Sequence, residues 1–133
     1  MLVPDLDADL IRVFSISDSY KLIPSSTLAL PLGSGPRHGA FVVPDEGCVF
    51  LYVLPQISNM LIGFKVSYEK NGTLGFEKVG TTNLLKKMNE SLVVMGPNTQ
   101  NASELYVSVR FLLVSLRDVP LSQFLHLWRL SRL

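Results

Sequence analysis

Chemistry in this chain would have to be built from few parts. Cys48 is its one cysteine, and His38 and His126 are its two histidines. No disulfide can close within the chain, and no multi-cysteine metal site can form. Nucleophilic catalysis needs a cysteine or serine beside a histidine that a third group orients. Cys48 opens the most apolar run of the sequence, a setting in which free cysteine behaves as a small hydrophobe. His126 falls on the polar side of an expected helix. Two histidines without a neighbouring Cys, Asp or Glu pattern make no zinc site. Two carboxylates could share acid–base work, yet no pair is singled out by its surroundings. An enzyme would therefore need a site assembled from scattered residues, and His38 facing a partner would be its sign.

Two short stretches come closer to a motif. Asp5-Leu-Asp-Ala-Asp9 has the spacing of the first half of a calcium loop, which also needs glycine at its sixth position and glutamate at its twelfth. Leu10 and Ile16 stand there instead, so the stretch reads as a solvated acidic arm. Gly33-Ser-Gly-Pro-Arg-His-Gly39 is the nearest thing to a phosphate cradle. It has neither the P-loop spacing nor the dinucleotide fingerprint, and a strand rather than a helix follows it. Its glycines are expected to serve turn geometry, which leaves Arg37 and His38 as exposed loop side chains. Lys65, Lys70 and Lys78, on or beside one hairpin, and Lys86 and Lys87 just after it are candidates for phosphate or RNA contact. The bland reading is a solvated edge whose lysines discourage strand-to-strand aggregation.

The whole composition sets the frame for these residues. The 133 residues are 47% hydrophobic and 17% charged with a net charge of +1, which is globular composition with a thin coat of charge. No basic stripe of the kind that neutralises a phosphate backbone is present. The first residues have acid where a signal peptide needs a basic region, and no segment reaches the length of a membrane span. A cytoplasmic setting is the expectation. No metal or cofactor is expected.

The elements that must position these residues are mostly strands, because Pro and Gly punctuate the chain at short intervals. No internal repeat is evident. Leu10 to Ile16 alternates as a first strand, and short β-like pieces follow on either side of Pro24. Cys48 to Leu54 is continuously apolar and reads as a central strand covered on both faces. Met60 to Tyr68 alternates cleanly and leads through Asn71-Gly72 into a second run, Leu74 to Val79. A two-residue loop there would put Phe76 on the polar face. A three-residue loop, Lys70-Asn71-Gly72, sets Tyr68 opposite Leu74 and Val66 opposite Phe76, which burial prefers.

Further along, residues 82–90 are expected as a short helix, and Glu104 to Arg117 as one long strand. Residues 118–133 are expected as an amphipathic helix with Leu121, Phe124, Leu125 and Trp128 on one stripe. Seven to eight strands and a terminal helix in a single domain, 1–133, suggest an antiparallel β-sandwich or jelly-roll, with a mixed α+β sheet as the alternative.

No stretch matches a named motif, so function is reached by elimination. The expectation is a non-catalytic structural protein that self-associates into a homo-oligomer through Leu121, Phe124, Leu125 and Trp128 of the terminal helix. Small viral coat and matrix proteins share this general character, by analogy of style only. The same helix could instead touch a membrane surface. From a different class comes a monomeric module that binds a small apolar ligand or peptide between its sheets. A phosphate- or RNA-binding domain is the third reading.

Overall fold

The computed structural model describes residues 1–44, 47–84, 102–107, 111–116 and 128–129. These described residues form ten strands: β1 (Leu2–Asp5), β2 (Leu10–Ile16), β3 (Leu22–Ala29), β4 (Pro36–Val42), β5 (Val49–Pro55), β6 (Met60–Tyr68), β7 (Leu74–Asn83), β8 (Ala102–Val107), β9 (Phe111–Leu116) and β10 (Trp128–Arg129). They divide among three antiparallel sheets, ordered β1-β2-β3, β4-β5-β6-β7 and β10-β9-β8. Every sheet is a plain meander in which each strand pairs with the next. That is a correction to the sandwich or jelly-roll, which needs two facing sheets linked by strands that cross between them.

The middle sheet accounts for the strongest burial. In β5, Leu51 and Val53 point to one face and Tyr52 and Leu54 to the other, and all four are buried. A strand covered on both faces requires a neighbour on each side. On one side Leu51, Val53, Ile62, Phe64 and Val66 pack with Ile11 and Leu30 of the first sheet region. On the other side, β8 of the third sheet lies against β4 and β5. Strand β4 therefore stands where the sheets converge, since it lies against both β1 and β8.

The β6–β7 hairpin has the three-residue loop and the register that burial prefers. Val66 pairs with Phe76 and Tyr68 with Leu74. The Gly72 N–H donates to the Glu69 carbonyl (2.9 Å), and Gly72 takes φ +80°, the left-handed conformation this loop demands.

The sheets also contain a repeat that residue identities conceal. Asp9 and Asn59 each end a four-residue turn just before a strand, and each is left-handed, with φ of 52° and 50°. Asp and Asn are the non-glycine residues that best tolerate this conformation. The Asp9 carbonyl accepts from Leu30 N–H (2.9 Å), and the Asn59 carbonyl accepts from Leu84 N–H (3.0 Å). Leu30 and Leu84 are both buried. Strands β1, β2 and β3 thus correspond to β5, β6 and β7, and β1 lies against β4 as β5 lies against β8. The expectation of no internal repeat is corrected accordingly.

Several other boundaries differ from the sequence reading. The acidic N-terminal arm is strand β1, paired with β2, and Asp5 accepts two hydrogen bonds from Arg12 (2.6 and 2.9 Å). The expected long strand 104–117 is a hairpin, with Val107 opposite Leu112 and Leu105 opposite Val114. Thr82 and Asn83 end β7 rather than start a helix, and residues 85–90 lie outside the described residues. In the expected terminal helix, Trp128 and Arg129 instead form β10 and pair with Leu112 and Phe111. An open strand edge at β9 offers backbone donors and acceptors, and pairing with it outweighs a helical apolar stripe. No helix among the described residues is long and apolar enough to cross a membrane.

Candidate functional site

Three turns meet at one end of the first two sheets: 6–9 between β1 and β2, 30–35 leading into β4, and 56–59 between β5 and β6. The middle turn is held from both sides. The Asp9 carboxylate accepts from Gly33 N–H (2.7 Å), Gly35 N–H (2.8 Å) and Ser34 Oγ (3.3 Å). From the other side, Gln56 N–H donates to the Gly35 carbonyl (2.7 Å). Ile57 and Ser58 N–H donate to the Ser34 carbonyl (3.1 and 3.2 Å). Ser34 is 1% exposed at the centre of this arrangement.

The glycines are required here for their backbone. Gly33 and Gly35 take φ of +74° and +59°, and successive N–H groups in such conformations turn inward and form an anion-binding concavity. The glycines of Gly33–Gly39 thus serve turn geometry, as expected, and the anion that their amides hold is the chain's own Asp9. Those N–H groups, that of Gly35 foremost, hold the Asp9 carboxyl below its ordinary 3.8, because a carboxylate that accepts backbone hydrogen bonds is stabilised in its charged form.

Directly after the latched turn come Pro36, Arg37 and His38, the first residues of β4. Pro36 is fully buried. The Arg37 guanidinium donates from Nη1 to Gln56 Oε1 (2.7 Å) and has no acidic partner among the described residues. The ladder slips between Pro36 and His38, and His38 pairs with Leu54. By that register His38 lies on the Tyr52–Leu54 face of the sheet. Its Nε2 is buried and has no hydrogen-bond partner among the described residues. Ser58 Oγ, in the 56–59 turn, is buried and unpartnered in the same sense. Buried polar atoms in native proteins are nearly always satisfied, so an orphaned imidazole nitrogen marks a place for a ligand or water.

A neutral imidazole nitrogen can take a proton from water, and an unopposed guanidinium can bind a carboxylate, phosphate or oxyanion. No group of three or more His, Cys, Asp or Glu among the described residues is placed to hold a metal ion. Arg37 and His38 are thus strand residues rather than the exposed loop side chains the sequence suggested, with Arg37 exposed and His38 half-buried. In the sequence Asp9 reads only as part of a solvated acidic arm, whereas it binds the 33–35 turn; the signal available was an Asx residue ahead of a strand together with Gly-Ser-Gly, two left-handed glycines bracketing a donor.

The other candidates are placed differently. Lys65 and Lys78 are exposed and, by register, stand on opposite faces of the β6–β7 ribbon, while Lys70 is in its loop. Cys48 is half-buried and free. Trp128 is in β10. Lys86, Lys87, Leu121, Phe124, Leu125 and His126 lie outside the described residues.

Comparison with known proteins supplies the context. Residues 1–126 match the family model described as lactonase, 7-bladed beta-propeller. A probable 6-phosphogluconolactonase of Arthroderma benhamiae is 32% identical over 68 residues, which is 51% of this chain and 17% of that protein. The crystal structure of a protein from Lactobacillus plantarum superposes with a TM-score of 0.65 and 25% identity, covering 87% of this chain and 31% of the other. The chain thus spans less than a third of the length of either relative. Meander sheets packed face to face, with first strands turned toward one another, are how propeller blades are arranged. These matches overturn the non-catalytic, self-associating structural reading, its viral coat or matrix character, and the expectation that the chain is no enzyme. The thin coat of charge and the apolar strands suit blades that bury both faces against their neighbours.

Proposed function

The chain belongs to the lactonase family of seven-bladed β-propellers, and from that premise we propose that it contributes to hydrolysis of a sugar-acid lactone. The observation that carries the reading is the pair at the start of β4: an Arg37 guanidinium with no acidic partner among the described residues, next in sequence to His38, whose Nε2 has no hydrogen-bond partner among them. In this reading His38 Nε2 takes a proton from a water molecule as the water oxygen attacks the lactone carbonyl carbon. Collapse of the tetrahedral oxyanion breaks the ring C–O bond. The proton passes to the departing ring oxygen, leaving an open-chain hydroxy acid. Arg37 binds an anionic group of the substrate, or the oxyanion itself. A phosphate on the lactone suits it, as the name of the Arthroderma relative suggests.

The test follows loss of 6-phosphogluconolactone and of the unphosphorylated lactone against their spontaneous opening. The reading expects acceleration by the chain, a loss of about 10²-fold or more in His38→Asn, and a raised KM for the phosphorylated substrate in Arg37→Ala. No acceleration over the spontaneous rate, or full activity in His38→Asn, overturns it.

A further inference from the structure

The turn that delivers Arg37 and His38 is not shaped by its own residues alone. Between Leu30 and Pro36 it contains two left-handed glycines, and glycine leaves a backbone more conformational freedom than any other residue. One donor is met within the turn, where the Ser34 N–H donates to the Pro31 carbonyl (3.1 Å); the others must be satisfied from outside because Ser34 is buried. All of those donor contacts converge on one carboxylate from the neighbouring sheet, at 2.7, 2.8 and 3.3 Å. The carbonyl side is satisfied by the 56–58 backbone, whose Gln56 side chain also receives Arg37.

We infer that Asp9 is a positioning residue for the Arg37–His38 site: its carboxylate sets the conformation of residues 33–35 and thereby where β4 begins. This deepens the lactonase reading and rests on it. Asp9 does not touch the reacting atoms. It acts through the turn, much as the groups behind a metal's ligands orient those ligands, and small misplacements of reacting groups are costly. The next repeat offers a natural control. Asn59 has the same backbone conformation, so Asp9→Asn leaves the main chain unstrained and isolates the carboxylate. The substituted amide could keep one acceptor for Gly35 and Ser34, but its NH₂ would face the Gly33 N–H, donor against donor.

The experiment compares wild type, Asp9→Asn and Asp9→Gly; glycine also accepts positive φ but removes every side-chain acceptor. Three quantities are read: amide chemical shifts of Gly33 and Gly35 by NMR, the ring resonances of His38, and kcat and KM separately for lactone opening. The expected result is an upfield move of the Gly33 amide in Asp9→Asn and of both amides in Asp9→Gly, with His38 ring resonances shifting in parallel. kcat/KM should fall about tenfold in the first and up to about a hundredfold in the second, carried by kcat as well as KM, while circular dichroism of Asp9→Asn stays that of wild type. Active variants with unchanged kcat and unchanged His38 resonances overturn the positioning role and leave the lactonase reading standing. A wild-type chain that opens no lactone overturns the lactonase reading instead, while the Gly33, Gly35 and His38 resonances still decide whether Asp9 sets this turn. Should Asp9→Gly fail to fold, Asp9→Asn decides alone.

Discussion

Gly33 and Gly35 offer a way to separate backbone strain from steric crowding within one turn. Both have positive φ, so alanine at either costs about 1–2 kcal/mol of conformational strain. Their surroundings differ. A Cβ on Gly33 meets nothing within 4 Å, whereas one on Gly35 would sit 2.6 Å from both Cγ1 and Cδ1 of Ile57 and 3.2 Å from its Cβ. Ile57 is 56% exposed and can swing away, but a β-branched side chain driven from its rotamer costs about 0.5–1.5 kcal/mol. Gly35→Ala should therefore be about 1 kcal/mol more destabilising than Gly33→Ala. Ile57→Ala alone removes a largely exposed side chain and should cost less than about 1 kcal/mol. In the Ile57→Ala background most of that difference should vanish, since only the contact with Cβ at 3.2 Å remains, a coupling approaching about 1 kcal/mol in the double-mutant cycle. Urea unfolding followed by circular dichroism gives each of these free energies. Equal costs in the wild-type background, or a difference that survives truncation of Ile57 undiminished, would refute the reasoning.

Leu54 is wholly buried on the face of β5 turned toward the third sheet, so Leu54→Ala should cost about 2–5 kcal/mol, while Ile16→Ala, at 58% exposure, should change the urea midpoint little. The Asp9 carboxyl lies below its ordinary 3.8 because the Gly35 and Gly33 amides bind its charged form. Its contribution is therefore complete above about pH 4 and lost as pH falls through the lowered value; the Gly35 amide shift should titrate with a midpoint under 3.8. Burial raises the Tyr52 hydroxyl above its ordinary 10.0. The folded chain keeps that proton longer than the unfolded one, so this group costs no stability below about pH 10, and stability declines as pH rises from there through the folded value. Absorbance titration should show a late tyrosine, and Tyr52→Phe should remove that part of the alkaline loss.

The elements that could be read from sequence are those whose environment is local or one-sided. Alternation through 60–68 survives because one face of β6 packs on Ile11 and Leu30 while Lys65 and Ser67 stay in solvent. The hairpin register followed from the same demand plus one left-handed glycine. The apolar run at 48–54 revealed double cover and was right about it, but double cover is equally the mark of a sandwich core and of a blade between blades. Periodicity also cannot see a turn that preserves parity. Leu105, Val107, Phe111 and Leu113 read as one continuous face. The hairpin sets Leu105 and Val107 opposite Val114 and Leu112 instead, the very positions at which the other face of an unbroken strand turns apolar. The site escaped for a different reason. Arg37 and His38 gain their surroundings from Gln56, Leu54 and Asp9, which are distant in sequence, and no local motif encodes that meeting.

The two repeats show how such a site can arise in a fold that otherwise copies itself. Propeller blades stack because each buries its faces on the next, and that demand fixes what the copies share. Both have a buried leucine (Leu30, Leu84), a left-handed Asx residue just before a strand, and a carbonyl at that residue which receives the leucine amide. What the copies do not share is free to specialise. At the shared position one repeat has Asp9 and the other Asn59, nearly equal in volume and backbone preference but different in what they can bind. A carboxylate has acceptors on both oxygens and can hold a turn by its N–H groups alone; an amide must be met by a donor and an acceptor. The turn with two left-handed glycines, whose amides converge on one carboxylate, accordingly belongs with the aspartate. Exchanging the two, Asp9→Asn with Asn59→Asp, should leave each backbone in place yet loosen the first turn, because the amide NH₂ at position 9 then faces the Gly33 N–H.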